Sequence, residues 1–374
     1  MQFKNVIAQD SLKKQLINSA QSGKVSQAML FLGTEGCGTL PIAFAYAQYL
    51  NCENRQEDDS CGVCNACKKS EKLMHPDIFY TYPTVSGGSK TPISRDFIED
   101  WRKAIAENPY MNVVEWLSKI AQENKPGNIT AEECNQIIRQ HSLKHFEGKF
   151  KIQIIWNAEL LKAEGNKLLK ILEEPPENTV FLLVAENIEE ILPTILSRTQ
   201  VVKFPRLKDE EISQALQIHY EINADKARNL AQILEGNWNA AKQLSQAPDE
   251  QNFNKLYEWF GILLQRNKSL DTIQSLLNWV EKMGGIGRES QKLFMKHTLF
   301  FLRECLIFNT GLPSKLNEDE KILAQEVINR VSLDEIAKMS SLINNLHYEI
   351  LRNANAKIGL MSASLEISGY FNSK

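Results

Sequence analysis

Several features that would narrow the role of this 374-residue chain at once are missing from it. No stretch approaches the roughly 18 uncharged apolar residues that a membrane helix needs. The opening Met1-Gln2-Phe3-Lys4-Asn5 leads into a polar amphipathic segment and not into a signal-type apolar core, so a cytoplasmic protein with no membrane contact is expected. Basic charge is not in excess: 43 Lys and Arg stand against 46 Asp and Glu, a formal net charge of -3. A chain-wide cationic footprint for nucleic acid is thereby excluded, although a local patch is not. No period of 20–50 residues repeats, which argues against a solenoid or propeller. What is present is 43% hydrophobic and 24% charged residues, the composition of a soluble protein of two or three domains.

The first 205 residues alternate short apolar runs with helical periodicity. Strands are expected at Ala28 to Leu32, Ile78 to Tyr82, Lys151 to Trp156, Thr179 to Ala185 and Gln200 to Phe204. Helices are expected at Gln9 to Gln21, Pro41 to Leu50, Ser94 to Glu107, Met111 to Glu123, Ile129 to Leu143 (with Thr130 or a neighbour as cap) and Ala163 to Glu174, the last stopped by Pro175-Pro176. "VSGGSKTP" and "NKPGN" read as loops. That alternation predicts an α/β layer with a parallel sheet. After Pro205 the period is helical throughout, with a second break near Pro248 in "SQAPDEQN".

"LFLGTEGCGTLPIAFA", Leu30 to Ala45, has the glycine frame of a phosphate-binding loop at Gly33, Gly36 and Gly38. Such a loop curls backbone N–H groups round phosphates, and the following helix adds its positive end. The next two places should then hold Lys for the outer phosphates and Ser or Thr for Mg²⁺. Here they hold Thr39 and Leu40. The partner element, an acidic pair at the end of a buried strand, is also lacking: "KIQIIWNAELL" ends its strand on Trp156-Asn157. A turn that merely joins strand to helix would need the same glycines. With a buried strand before it and an apolar helix after it, the stretch reads as a degenerate nucleotide site. Two independent losses argue against ATP hydrolysis, while passive nucleotide binding at Gly33, Gly36, Gly38 and Thr39 stays open.

Four of the seven cysteines, Cys52, Cys61, Cys64 and Cys67, are spaced C-x8-C-x2-C-x2-C. In a reducing compartment that crowding points to a metal before disulfides. Four thiolates make a closed tetrahedral shell, the structural kind of Zn²⁺ site. Overlapping C-x2-C steps also occur in iron–sulfur proteins, but nothing else here supports redox chemistry. Cys37, Cys134 and Cys305 read as small buried hydrophobes. In "LPTILSRTQ", Arg198 follows Ser197 at the end of a short apolar helix. By composition it is a surface charge.

Taken together, these residues resemble the delta-prime family of bacterial DNA polymerase III clamp-loader subunits. The pieces run in that family's order: the glycine frame, the four cysteines, "HPD" at His75 to Asp77, "NKLLKILEEPPENTVFLLVAEN" from Asn166 to Asn187, "LPTILSR" ending at Arg198, and "FPRL" from Phe204 to Leu207. The resemblance covers roughly residues 1–83 and 129–245. It implies an AAA+ module (residues 1–205) with a zinc module at 52–67, then a small helical lid (206–248) and an all-α collar (249–374). Segment 84–128 is an insertion without a counterpart.

It also implies a role. Five such subunits form an open ring, and its ATP-driven motors open a sliding clamp and place it on primer–template DNA. The delta-prime type does not hydrolyse ATP. Its Ser-Arg-Cys motif, here Ser197-Arg198-Thr199, lends an arginine finger in trans to a neighbouring motor. Motors carry Thr or Ser after the "FLLA" strand, where this chain has Ala185-Glu186, and a lid arginine that falls near Asn239 here. Expected partners are therefore the motor subunits and the delta subunit, met through the collar and AAA+ domains, with the clamp and the DNA. The competing readings are a motor ATPase with an unusual loop, and a zinc-dependent nucleic-acid module. The missing Lys and acidic pair oppose the first; the acidic "ENRQEDD" loop at Glu53 to Asp59 opposes the second.

Overall fold

A strand can be mostly apolar only if both sheet faces are covered, and this chain has three such strands. In the computed structural model, which describes residues 1–85, 91–121, 126–245, 252–265, 269–351 and 354–371, they form the middle of a five-stranded sheet. The strands are β1 (Ala28–Leu32), β2 (Ile78–Thr81), β3 (Lys151–Trp156), β4 (Thr179–Ala185) and β5 (Gln200–Lys203), in the order β2-β3-β4-β1-β5. Every neighbouring pair is parallel. All residues of β3 and β4 are buried, whereas the edge strand β5 buries only Val202. The expected sheet is present, and β1, β3 and β4 begin and end where the sequence places them.

Helices of the sheet region are α1 (Asp10–Gln21), α2 (Thr39–Asn51), α3 (Asn65–Glu71), α4 (Ile98–Glu107), α5 (Val113–Ile120), α6 (Ala131–Ser142), α7 (Leu169–Glu173) and α8 (Pro193–Leu196). One face of the sheet is covered by α2, which is buried throughout. The other packs Leu30, Ile155, Phe181 and Leu183 against Ile137, Leu168, Leu172 and Ile195. Thr130 caps α6 by accepting from Glu133 N–H at 3.3 Å, as its sequence position suggests. The helix expected at Ala163 to Glu174 differs. Residues Ala158–Leu168 form 3-10 turns broken at Lys162, whose φ of 46° is left-handed, and only α7 is α-helical. Apolar spacing alone cannot separate these two helix types. The readings at residues 86–90, at 122–125 (the end of the helix expected to reach Glu123 and the loop after it) and at Pro248 lie outside the described residues.

The described remainder is helical: α9 (Asp209–Tyr220), α10 (Ala224–Leu234), α11 (Trp238–Ser245), α12 (Asn252–Leu263), α13 (Leu270–Gly285), α14 (Arg288–Asn309), α15 (Glu318–Ile328), α16 (Leu333–Leu351) and α17 (Ala356–Phe371). The chain divides into two compact units. The first holds Met1–Ala227 and Glu235–Ala240, the second Arg228–Leu234 and Ala241–Lys374. In the second, Trp259 stacks on Trp279 at 5.0 Å and donates its indole N–H to Ser364 Oγ at 2.8 Å. Phe260, Phe294, Phe301 and Phe371 complete a buried aromatic core around them.

Asp77, at the entry to β2, fixes the turn that feeds β3. Its buried carboxylate accepts N–H groups from Phe146, Glu147 and Gly148 at 2.6, 2.8 and 2.7 Å. Burial alone would raise its carboxyl; the three donors overcome that and hold it below the ordinary value. A carboxyl depressed on folding stabilises above its unfolded pKa of about 3.9, and that stabilisation is lost as pH falls through the folded value. Asp77→Ala is expected to lower unfolding free energy by about 3 kcal/mol at neutral pH. Denaturant titrations of both proteins should show the gap narrowing in acid, and a pH-independent gap would contradict this account.

Candidate functional site

Parallel α/β sheets place ligands at the carboxyl ends of their strands. The register sets Leu32 beside Ala185 and Trp156 beside Val184, so the loops after β1, β3 and β4 meet at one rim. The glycine loop follows β1. Gly36 and Gly38 have φ of +74° and +100°, conformations that L side chains rarely adopt. A Cβ on Gly33 would lie 2.6 Å from Cys37 Sγ and 2.7 Å from Phe204 Cβ. The strand–turn–helix corner is thus built as the sequence implies, with α2 starting at Thr39 and Leu40 buried behind it. Cys37 is buried and its thiol is pushed up to about 12 by loss of solvent, so it is unreactive.

At this rim a working site would be positive, yet here it carries carboxylates. Glu35, in the loop itself, accepts from Asn112 Nδ2 at 3.1 Å and from Asn239 Nδ2 at 3.3 Å. Asn239 is buried, donates to both oxygens of Glu115 at 3.1 Å, and accepts from Asn108 Nδ2 at 2.6 Å. Glu186 follows β4, and its N–H donates to the Glu159 carboxylate at 2.9 Å. Partial desolvation, then repulsion from Glu35 and Glu159, raises the Glu186 carboxyl above its usual range. Asn157, just after β3, has a left-handed φ of 52°. Trp156 before it is buried and tilts against Trp101 at 5.2 Å.

Four of these partners, Trp101, Asn108, Asn112 and Glu115, belong to the insertion, whose role the sequence left open. Their one advance signal was tryptophan: Trp101 and Trp116 are two of six in the chain, and an exposed hairpin has little use for them.

The four cysteines are brought together. Cys52 ends α2, Cys64 caps α3, and the Sγ atoms of Cys52, Cys61, Cys64 and Cys67 all lie within 4.8 Å of one another. The edge of an S4 tetrahedron with metal–sulfur bonds of about 2.3 Å is about 3.8 Å. Cys61 and Cys67 are 3.9 Å apart. Backbone N–H groups of Cys61, Cys64 and Cys67 point at Cys52, Cys61 and Cys64 sulfurs at 3.2, 3.4 and 3.4 Å, contacts that favour thiolates. The cluster fits one tetrahedral ion.

Arg198 lies apart from both sites, just before β5. Its side chain is partly exposed and forks onto Glu173 Oε2 at 3.1 Å (Nε) and 2.8 Å (Nη2). Nη1 donates to Thr194 O at 3.1 Å and Ser197 Oγ at 3.3 Å. Thr199 turns its hydroxyl back to Ile195 O at 3.1 Å.

Comparison with known proteins places this architecture. The family model described as "DNA polymerase III, delta subunit" matches residues 8–208, more than half of the chain. The chain belongs to that family. Similar curated proteins include DNA polymerase III subunit gamma of Buchnera aphidicola subsp. Acyrthosiphon pisum, 26% identical over 57% of this chain and 48% of the relative. Subunit tau of Escherichia coli is 28% identical over 58% of this chain and 27% of its own length. Subunit tau of Bacillus subtilis is 23% identical over 93% and 58%. The chain thus spans about half or less of the first of these relatives. They are named gamma and tau, not delta-prime. Among solved structures, a gamma subunit-related protein of Thermotoga maritima aligns over 96% of this chain and 99% of its own, at 14% identity and a TM-score of 0.43. Among the described residues no helix is long and apolar enough to cross a membrane.

Proposed function

We propose that this family member acts as a non-hydrolysing, delta-prime-type subunit of a DNA polymerase III clamp loader. The observation that carries the reading is the charge of the loop after β1. Where a motor presents lysine to phosphate, this loop presents Glu35. Carboxylates repel a nucleotide's phosphates and cannot neutralise charge that develops during transfer. The same observation opposes the motor reading.

What the chain offers instead is Arg198. Its guanidinium is partly exposed, and a carboxylate, a carbonyl and a hydroxyl pair its three nitrogens, so a phosphate would have to displace the Glu173 pair. A planar fork of that kind suits a phosphate supplied by a neighbouring motor subunit. Ser197 orients it. In this reading residues 206–248 are the lid and 249–374 the collar. The complex includes motor subunits, the delta subunit, the sliding clamp and primer–template DNA. Zn²⁺ occupies the Cys52, Cys61, Cys64 and Cys67 cluster, where it joins the end of α2 to α3 and has no open position for chemistry.

Two measurements test this. In a complex reconstituted with the other loader subunits, Arg198→Ala should lower DNA- and clamp-stimulated ATPase by about tenfold or more while assembly survives. Unchanged turnover would remove the role in trans, and ATP turnover by the chain alone would remove the non-hydrolysing one. For the metal, elemental analysis should find one zinc per chain. Cys64→Ser combined with Cys67→Ser should lose it and lower Tm, whereas an equally stable, metal-free wild type would rule the site out.

A further inference from the structure

We infer that residues 108–115 of the insertion are the resident occupant of the glycine loop, seated where a working loop of this kind would hold its nucleotide. The inference stands apart from the role of Arg198 and rests on how the insertion is anchored at both ends of the rim.

The base of the insertion is clipped. Thr84 and Asn128 exchange backbone hydrogen bonds at 2.9 and 3.0 Å as an isolated antiparallel bridge. From that base the insertion sends two tryptophans under the rim. Trp101 stacks on Tyr82 at 4.1 Å and meets Trp116 edge-on at 5.1 Å. Trp116 donates its indole N–H to Pro83 O at 2.8 Å. Trp101 then reaches Trp156, the residue that ends β3 where a motor would keep its acidic pair. Aromatic surface thus fills the corner that a hydrated Mg²⁺ would need.

The second anchor is on the glycine loop. Tyr110 is buried, and its ring carbon Cε1 lies 3.6 Å from where a Gly38 Cβ would stand. Its hydroxyl accepts the Ile7 N–H at 2.8 Å, which ties the N-terminal segment to the insertion. Asn112 follows and grips Glu35. Glu115, one turn on in α5, reaches Asn239, which bridges back to Glu35. Asn237 and Trp238 close the loop's outer side: Trp238 N–H donates to Gly36 O at 3.2 Å, and a Cβ on Gly36 would sit 2.1 Å from Asn237 Oδ1.

Phosphate cannot share this arrangement. The amide donors of Asn112 and Asn239 are already paired to carboxylate oxygens. Glu35, in the loop itself, and Glu115, behind Asn239, present carboxyl oxygens, which are acceptors where an anion needs donors. The lid-side residue Asn239 is held to the loop by the chain itself, so the closed arrangement needs no nucleotide. The loop is held by these internal contacts.

The test uses the full chain, with Mg-ATP and Mg-ADP as probes in titration calorimetry and hydrogen–deuterium exchange. Expected are no binding heat at millimolar nucleotide and no change in exchange at residues 33–40 or 108–115. Asn112→Ala should speed exchange at residues 33–40 about tenfold, the size of one lost hydrogen bond. Tyr110→Phe, a milder change, should speed exchange at Ile7. Nucleotide binding that protects residues 33–40 would overturn the inference yet leave the non-hydrolysing role standing. Unchanged exchange in both folded variants would overturn it equally. Turnover of ATP would strike the proposed function instead.

Discussion

The pairing of β4 between β1 and β3 is the constraint on which the rest of this module depends. β4 is buried from Thr179 to Ala185, so a one-residue slip would turn each side chain against the opposite packed face. That register lines up the ends of β1, β3 and β4 and brings the glycine loop, Asn157 and Glu186 to one rim. The chain that leaves β4 returns through α8 to β5, and Arg198 lies on that return. Loop and arginine are thus placed by one sheet, although they lie on separate faces of the problem.

A glycine loop is costly to keep without a ligand. Its left-handed turns at Gly36 and Gly38 leave backbone groups facing the rim, and buried polar groups need partners. In a nucleotide-binding protein the phosphates supply them. Here the contacts have the opposite polarity: the Gly36 carbonyl accepts from Trp238 N–H, and the Glu35 side chain accepts from neutral amides. Asparagine is suited to this task because it donates to a carboxylate and accepts from another amide without adding charge. Asn239 does both, between Glu35, Glu115 and Asn108.

Much of this was legible in the sequence. Apolar runs of five to seven residues could be read as buried strands because a parallel sheet covers both faces. The cysteine spacing was legible because a tetrahedron constrains where four sulfurs can come from. The insertion was not legible. Its contacts are long-range pairings of Asn, Glu and Tyr, residue types that local periodicity treats as surface. Asn239 and Glu35 are 204 positions apart, and only the fold makes them neighbours. The 3-10 stretch at Ala158–Leu168 was missed for a related reason: the left-handed turn at Lys162 has no signature in a residue type that seldom adopts it.

Arg198 raises the opposite question, since it already has a partner. Its fork onto Glu173 is a half-exposed ion pair, with side-chain exposures of 29% and 59%. Pairs of that kind are worth about 0–1 kcal/mol in water. A phosphate with two or three charged oxygens, held in a site that a neighbouring subunit shields from solvent, attracts a guanidinium more strongly than that. In the proposed role Glu173 would therefore compete only weakly for the arginine. Together with Thr194 O and Ser197 it limits the rotamers that Arg198 samples, and so lowers the entropy lost when the side chain is captured. In the proposed role the contact would act as preorganisation, because the force holding the arginine is weaker than the one that role would apply.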